Sequence, residues 1–215
     1  MITVADIFLS IGRTKRKKLS LSTDKQTMTF GELAVQAAQV ANALAARGIK
    51  SQEKVGVTTR NGSGFVVEAI AIWMLGATVV PLDFRMPPAE LSKLASDLDL
   101  AMLIVDRSVA LSGVNEIVRD AFWRTAVAAS STLPPEAPTN PGLAVISPTS
   151  GTTGIPLGVA LSHTQFILRS SQYGRVPTNQ HSVFAAAGLM SFSAVRNHTF
   201  GHLIPSNTVR IYPPL

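Results

Sequence analysis

The chain has 215 residues with 46% hydrophobic and 15% charged side chains, enough to bury a substantial core as one large or two small domains and far from a disordered or fibrous composition. It has no cysteine, which excludes disulfides, thiolate metal sites and a cysteine nucleophile and favours a cytoplasmic setting. The formal charge of +6 is local, because Arg13, Lys15, Arg16, Lys17 and Lys18 supply five positives and the rest nets only +1; with no interleaved aromatics and no recognition helix, this run reads as a solvated loop before a strand, not a nucleic-acid site.

Val4 to Ile11 reads as a short helix. The apolar start precedes the basic run and lacks a small-residue cleavage site, so it is not a secretory signal. Leu19–Ser22 and Gln26–Met28 form an expected hairpin around Asp24-Lys25. Thr29-Phe30-Gly31-Glu32 is a capping box, and Phe30, Leu33, Ala34, Ala37, Val40, Ala41 and Leu44 then follow one helical face until Gly48. Lys54–Thr59 is β-rich, Asn61 can cap a helix from about Gly64 to Leu75, and Thr78–Pro81 returns to strand, which makes a crossover unit. Phe65 to Leu82 approaches membrane-spanning length, but Glu68, Gly76 and a β-branched run ending at Pro81 favour a helix followed by a buried strand.

Pro87-Pro88-Ala89-Glu90-Leu91 opens a helix through Leu98, and Ala101–Val105 is an apolar strand. Val114–Arg119 is expected to form a short helix, and the proline-rich stretch 134–141 a surface connection or subdomain boundary. Gly142–Ile146 and Gly158–Leu161 are β-type segments, Ser162 or His163 can cap a helix through about Tyr173, and Ser182–Ala187 and Val209–Tyr212 are strand-like. Trp73, Met74, Leu75, Phe122 and Trp123 are expected in the core. The alternation predicts an α/β fold built on a mainly parallel, doubly wound sheet with helices on both faces.

Between the two β-type segments lies Ser147-Pro148-Thr149-Ser150-Gly151-Thr152-Thr153-Gly154-Ile155-Pro156-Leu157. Glycines let backbone N–H groups converge at little steric cost, and serine and threonine hydroxyls add donors, so the stretch reads as an anion-binding loop at the carboxyl end of a strand. No G-x-x-x-x-G-K-[ST] motif occurs, and Gly62-Ser63-Gly64 lacks the third glycine of the dinucleotide fingerprint. His163 can donate to a phosphate or lead into the following helix. His198 and His202 share a helical face, but no Glu follows His198 and no third ligand is evident, so no metal site is expected.

Thr149 to Val159, followed by Ser162-His163, resembles the signature loop of the AMP-forming adenylating enzymes, the superfamily of acyl-CoA synthetases, firefly luciferase and peptide-synthetase adenylation domains. Thr29-Phe30-Gly31-Glu32-Leu33, Gly48, Val55, Asn61 and the run from Leu75-Gly76-Ala77 to Val80-Pro81-Leu82 fall in the order and rough spacing of that family's first half. Asp83 to Leu91 is similar to the acyl-CoA synthetase version of its segment, which tilts the expected substrate toward a carboxylic acid other than an amino acid.

The resemblance implies that a carboxylate attacks the α-phosphorus of ATP, giving an acyl-adenylate and pyrophosphate, after which a thiol, usually coenzyme A, takes the acyl group. Thr149, Ser150, Gly151, Thr152, Thr153 and Gly154 would hold the ATP phosphates, with Gly158 and His163 as further candidates and Mg2+ sharing the charge. No catalytic acid, base or nucleophile is assigned. The chain departs from the family at Leu157, where a lysine is usual, and the stretch Gly188 to Ala194 lacks the histidine that many acyl-CoA synthetases carry there.

The resemblance makes residues 1–215 a partial N-terminal domain that ends before the family's adenine-binding segment, magnesium-binding glutamate, ribose-binding aspartate and mobile C-terminal domain. The expectation is a fragment unable to complete adenylation alone, from a deliberately expressed piece or a truncated gene. The alternative is a non-catalytic binding module that self-associates into a homo-oligomer through apolar surface the absent half would cover.

Overall fold

In the computed structural model the described residues are 2–58, 60, 62–111, 113–148, 158–173 and 183–212. They form two mainly parallel sheets with helices against them, so the expected α/β class holds while its strands divide between two sheets. The chain begins with helix α1 (Val4–Thr14), which a Thr3/Asp6 capping box opens: the Asp6 N–H donates to Thr3 Oγ1 at 3.2 Å and the Thr3 N–H to Asp6 Oδ2 at 2.8 Å. Strands β1 (Leu19–Ser22) and β2 (Thr27–Thr29) pair antiparallel as the expected hairpin. Helix α2 (Phe30–Ala45) starts at the Thr29/Glu32 capping box, and the chain leaves its end through Gly48 at φ +91°, a conformation glycine adopts without strain.

Strand β3 (Lys54–Thr58), helix α3 (Ser63–Met74), strand β4 (Thr78–Pro81), helix α4 (Pro88–Asp97) and strand β5 (Leu100–Val105) follow as crossover units. Helix α3 is buried all round, which explains why its sequence resembles a membrane span: it runs through the protein interior. No helix among the described residues is long and apolar enough to cross a membrane. The expected helix at 114–119 is instead strand β6 (Asn115–Val118), paired parallel with β5. Val114, Ile117 and Val118 recur at helical spacing, but β-branched side chains and an open edge of β5 favour the strand. Helix α5 (Ala121–Ala128), capped by Asp120 Oδ1 on the Trp123 N–H at 2.8 Å, buries Trp123, whereas Phe122 is 73% exposed and does not join the core as expected.

Strands β7 (Val145–Pro148) and β8 (Gly158–Leu161) complete a six-stranded sheet in the order β6-β5-β3-β4-β7-β8, parallel except for the β7–β8 pair. Helix α6 (His163–Ser171), strand β9 (Val183–Ala187), helix α7 (Ser193–Leu203) and strand β10 (Thr208–Tyr212) return the chain to the first hairpin, giving the order β2-β1-β10-β9. Phe8, Trp73, Phe166 and Phe200 pack from α1, α3, α6 and α7 with ring centroids 5.1–6.0 Å apart. The Trp73 indole N–H donates to the Ala144 carbonyl at 2.6 Å, which fixes this aromatic cluster to the approach to β7. Residues 134–141 contain no helix or strand, and the Ser51 hydroxyl donates to the Asn140 carbonyl at 2.7 Å.

Candidate functional site

The glycine and hydroxyl stretch connects β7 to β8, so its two ends are tied by an antiparallel ladder. Val145, Ile146, Ser147 and Pro148 pair with Leu161, Ala160, Val159 and Gly158. Thr149, Ser150, Gly151, Thr152, Thr153 and Gly154, the main expected phosphate contacts, lie outside the described residues, as does Leu157. The described structure therefore defines the root on which these residues stand. Because β7 runs parallel to β4, and β4 to β3, the root lies at the carboxyl edge of the parallel strands, where open α/β sheets place ligands.

Gly158 has a clear local reason. A Cβ there would meet Ile146 Cγ2 at 2.5 Å, closer than side chains pack, so glycine lets β8 approach β7 directly across the root. This steric role is what the described atoms show for Gly158.

His163, the further phosphate candidate, is held at the junction of α6 and α1. It is the first residue of α6, capped by Ser162, and is 1% exposed. Its Nδ1 accepts the Val4 N–H at 3.2 Å, and its ring stands edge-on to Trp73 with centroids 6.3 Å apart. Burial lowers its pKa below the ordinary 6.5, outweighing the opposing charge of Asp6. The ring joins α6 to the start of α1, and its Nε2 is buried without a hydrogen-bond partner among the described residues. The alternative reading, that it leads into the helix, is the one the geometry fits.

Sequence reasoning missed Arg196, on α7. It is 1% exposed, and its Nη2 donates to Ser147 Oγ on β7 at 2.6 Å. Its Nη1 donates to the Met190 carbonyl at 3.0 Å and the Ser191 carbonyl at 3.2 Å. Burial, aided by the like charge of Arg169, lowers its pKa to about 10, which still leaves it a cation at neutral pH. A signal was available: an arginine that follows a run of small and apolar residues, 183–195, and lies 49 residues after the Ser147 it grips.

The two helical histidines share a face, on which both stack against one ring. Phe184 on β9 lies nearly parallel to His202 at 4.5 Å and to His198 at 5.6 Å between centroids. Among the described residues no group of three or more His, Asp or Glu is arranged to hold a metal ion. A separate cleft of about 470 Å3 opens beyond the ends of β3, β5 and β6, lined in part by Lys25, Arg60, Ser63, Asp106 and Arg119.

A sequence model of the family described as "AMP-binding enzyme" matches residues 10–215. Among curated proteins, surfactin synthase subunit 2 of Bacillus subtilis is 30% identical over 190 residues, covering 86% of this chain and 5% of that protein. A linear gramicidin synthase polypeptide of Brevibacillus parabrevis is 26% identical over 203 residues, covering 92% and 4%. Among solved structures, the inhibitor-bound N-terminal domain of FACL13 from Mycobacterium tuberculosis superposes with a TM-score of 0.90 at 19% identity, over 100% of this chain and 58% of that one. The N-terminal subdomain of Klebsiella oxytoca NpsA, in complex with 3-hydroxybenzoyl-AMSN, gives 0.84 at 22% identity, over 100% and 55%. The chain thus spans a small part of the curated relatives and little more than half of these solved chains. The family match runs through the β7–β8 hairpin and every crossover unit described above, and on it the chain belongs to the AMP-binding enzyme family.

Proposed function

We propose that this chain serves the ATP-dependent activation of a carboxylic acid, with the β7–β8 connection holding the ATP phosphates. The observation that supports this is a nine-residue glycine and hydroxyl connection, 149–157, rooted by the Pro148–Gly158 pair at the carboxyl edge of the sheet in a chain of this family. In the reaction a carboxylate oxygen attacks the α-phosphorus of ATP, the bond from that phosphorus to the bridging oxygen breaks, and pyrophosphate leaves with its electron pair. Donors from Thr149, Ser150, Gly151, Thr152, Thr153 and Gly154 would stabilise charge growing on the departing phosphates. Mg2+ would supply charge neutralisation at those phosphates. The connection 149–157 itself offers such a cation hydroxyl and backbone oxygens and no carboxylate.

In the second half-reaction a thiolate attacks the acyl carbonyl and AMP leaves. The segment Asp83 to Leu91 favours coenzyme A as that thiol, whereas the sequence relatives that are nonribosomal peptide synthetases favour a thiol borne on a protein carrier. ATP as co-substrate and the absence of cysteine fit a cytoplasmic setting. Exposed Val159, Leu168, Val183 and Phe192 supply apolar surface for self-association, which sedimentation at rising concentration would register as growth in mass.

The test is exchange of labelled pyrophosphate into ATP with a panel of carboxylic acids, using the polypeptide that the gene encodes, followed by thioester formation with coenzyme A or a carrier thiol. Acid-dependent exchange is expected. No exchange with any acid, together with no binding of magnesium polyphosphate by these 215 residues, would refute the reading.

A further inference from the structure

Arg196 is a buried cation with no acid beside it among the described residues. All thirteen Asp and Glu residues lie at or before position 136, and none forms an ion pair with Arg196. Residues 137–215 carry Arg169, Arg175, Arg196 and Arg210 and no negative side chain at all. Among the described residues the guanidinium is met only by one hydroxyl and two carbonyls, and its Nε has no hydrogen-bond partner. Removing a charge from water without an opposite charge is costly, and the polar atoms present offset only part of that cost. The other charge felt at this position is that of Arg169, which has the same sign and adds to the cost.

Its location suggests what the charge is for. The hydroxyl it grips belongs to Ser147, two residues before Thr149, in register with Val159 on the returning strand. The positive charge therefore sits at the root of the connection to which phosphate binding has been assigned. That connection has Leu157 and no lysine or arginine of its own, since 149–157 reads Thr-Ser-Gly-Thr-Thr-Gly-Ile-Pro-Leu. We propose that Arg196 supplies, from inside the fold, the positive charge that serves the polyphosphate held at the β7–β8 connection, and that it positions this connection through Ser147. The proposal rests on the functional reading above and adds to it the residue that takes the cationic role. Arg196 acts through Ser147 and through its field, so it is a positioning and electrostatic residue.

The experiment is calorimetric titration of the 215-residue chain with magnesium tripolyphosphate, a probe that needs no adenine or acyl site, with far-UV circular dichroism to verify folding. Wild type is expected to bind, Arg196→Gln to bind about ten-fold or more weakly, and Arg196→Gln with Leu157→Lys to return to within about three-fold of wild type. A solely structural role would not be rescued by a lysine ten residues after Ser147, so a folded double variant that stays weak overturns the proposal. Equal binding by wild type and Arg196→Gln does the same.

Should Arg196→Gln fail to fold, Arg196→Lys carries the test through its pH profile. A buried lysine loses its charge at lower pH than arginine, so its affinity should fall between pH 7 and 9 while wild type stays level; parallel profiles refute the idea. A wild-type chain that binds no tripolyphosphate overturns the functional reading and this inference together, whereas binding that ignores position 196 overturns the inference alone.

Discussion

Gly12 shows how one missing methyl sets the distance between two helices. A Cβ there would lie 2.5 Å from the Ala34 Cβ and 3.3 Å from the Phe30 carbonyl, so α1 rests on α2 only because both contact residues are small. Gly12→Ala is expected to cost about 1–3 kcal/mol in denaturant unfolding, and adding Ala34→Gly should recover part of that loss, giving a measurable coupling in a double-mutant cycle. His163 and His202 set a second property at this scale. Burial lowers both pKa values below 6.5, with Asp6 opposing the shift at His163 and His198 adding to it at His202. Below pH 6.5 the unfolded chain binds protons that the folded one resists, so stability is full above that pH and declines as pH falls through it. The melting temperature of wild type should drop between pH 7.5 and 5.5, and the drop should be smaller for His163→Gln with His202→Phe.

Each secondary-structure element here carries a partner that its own residues do not specify. Helix α3 displays an apolar surface all round because it packs among α1, α2 and the sheet, and Trp73 near its end reaches the Ala144 carbonyl just before β7. Trp73→Phe removes that donor, leaves the buried carbonyl without it and opens a cavity among Phe8, Phe166 and Phe200. The expected cost is about 2–4 kcal/mol, read from chemical denaturation, with a near-ultraviolet circular dichroism change from the aromatic cluster. Strand β6 teaches the converse. Its spacing of Val114, Ile117 and Val118 fits a helix, and the free edge of β5 together with their β-branched side chains makes it a strand.

At the scale of the whole molecule, Glu68 and Arg119 join α3 to the end of β6 by a bidentate ion pair, with Asp106 completing it at 2.8 Å from Arg119. Burial raises the Glu68 pKa, and Arg119 opposes that rise; at Arg119 burial acts to lower the pKa, but Glu68 and Asp106 hold it raised. Removing the guanidinium leaves a buried carboxylate alone. Arg119→Met is expected to cost about 3–5 kcal/mol at pH 7 and less at pH 5, where Glu68 takes up a proton more readily than an exposed carboxylate would. Glu68→Met with Arg119→Met should be milder than Arg119→Met alone, as unfolding curves at both pH values would show.

What the sequence by itself determined is local or short-range: the capping box at Thr29, the φ-positive end at Gly48, the β3–α3–β4 crossover and the chemical character of 149–157 all follow from neighbours within a few residues. Tertiary structure decided whatever depends on distant chain. It paired β1 with β10 across nearly the whole sequence, dividing the strands into two sheets, and exposed Phe122 while burying Trp123. It also took His163 into the core beside Val4 and brought Arg196 to Ser147. Burial and hydrogen-bond partnership are properties of the packed molecule, and no spacing along the chain specifies which side chain will lose its water.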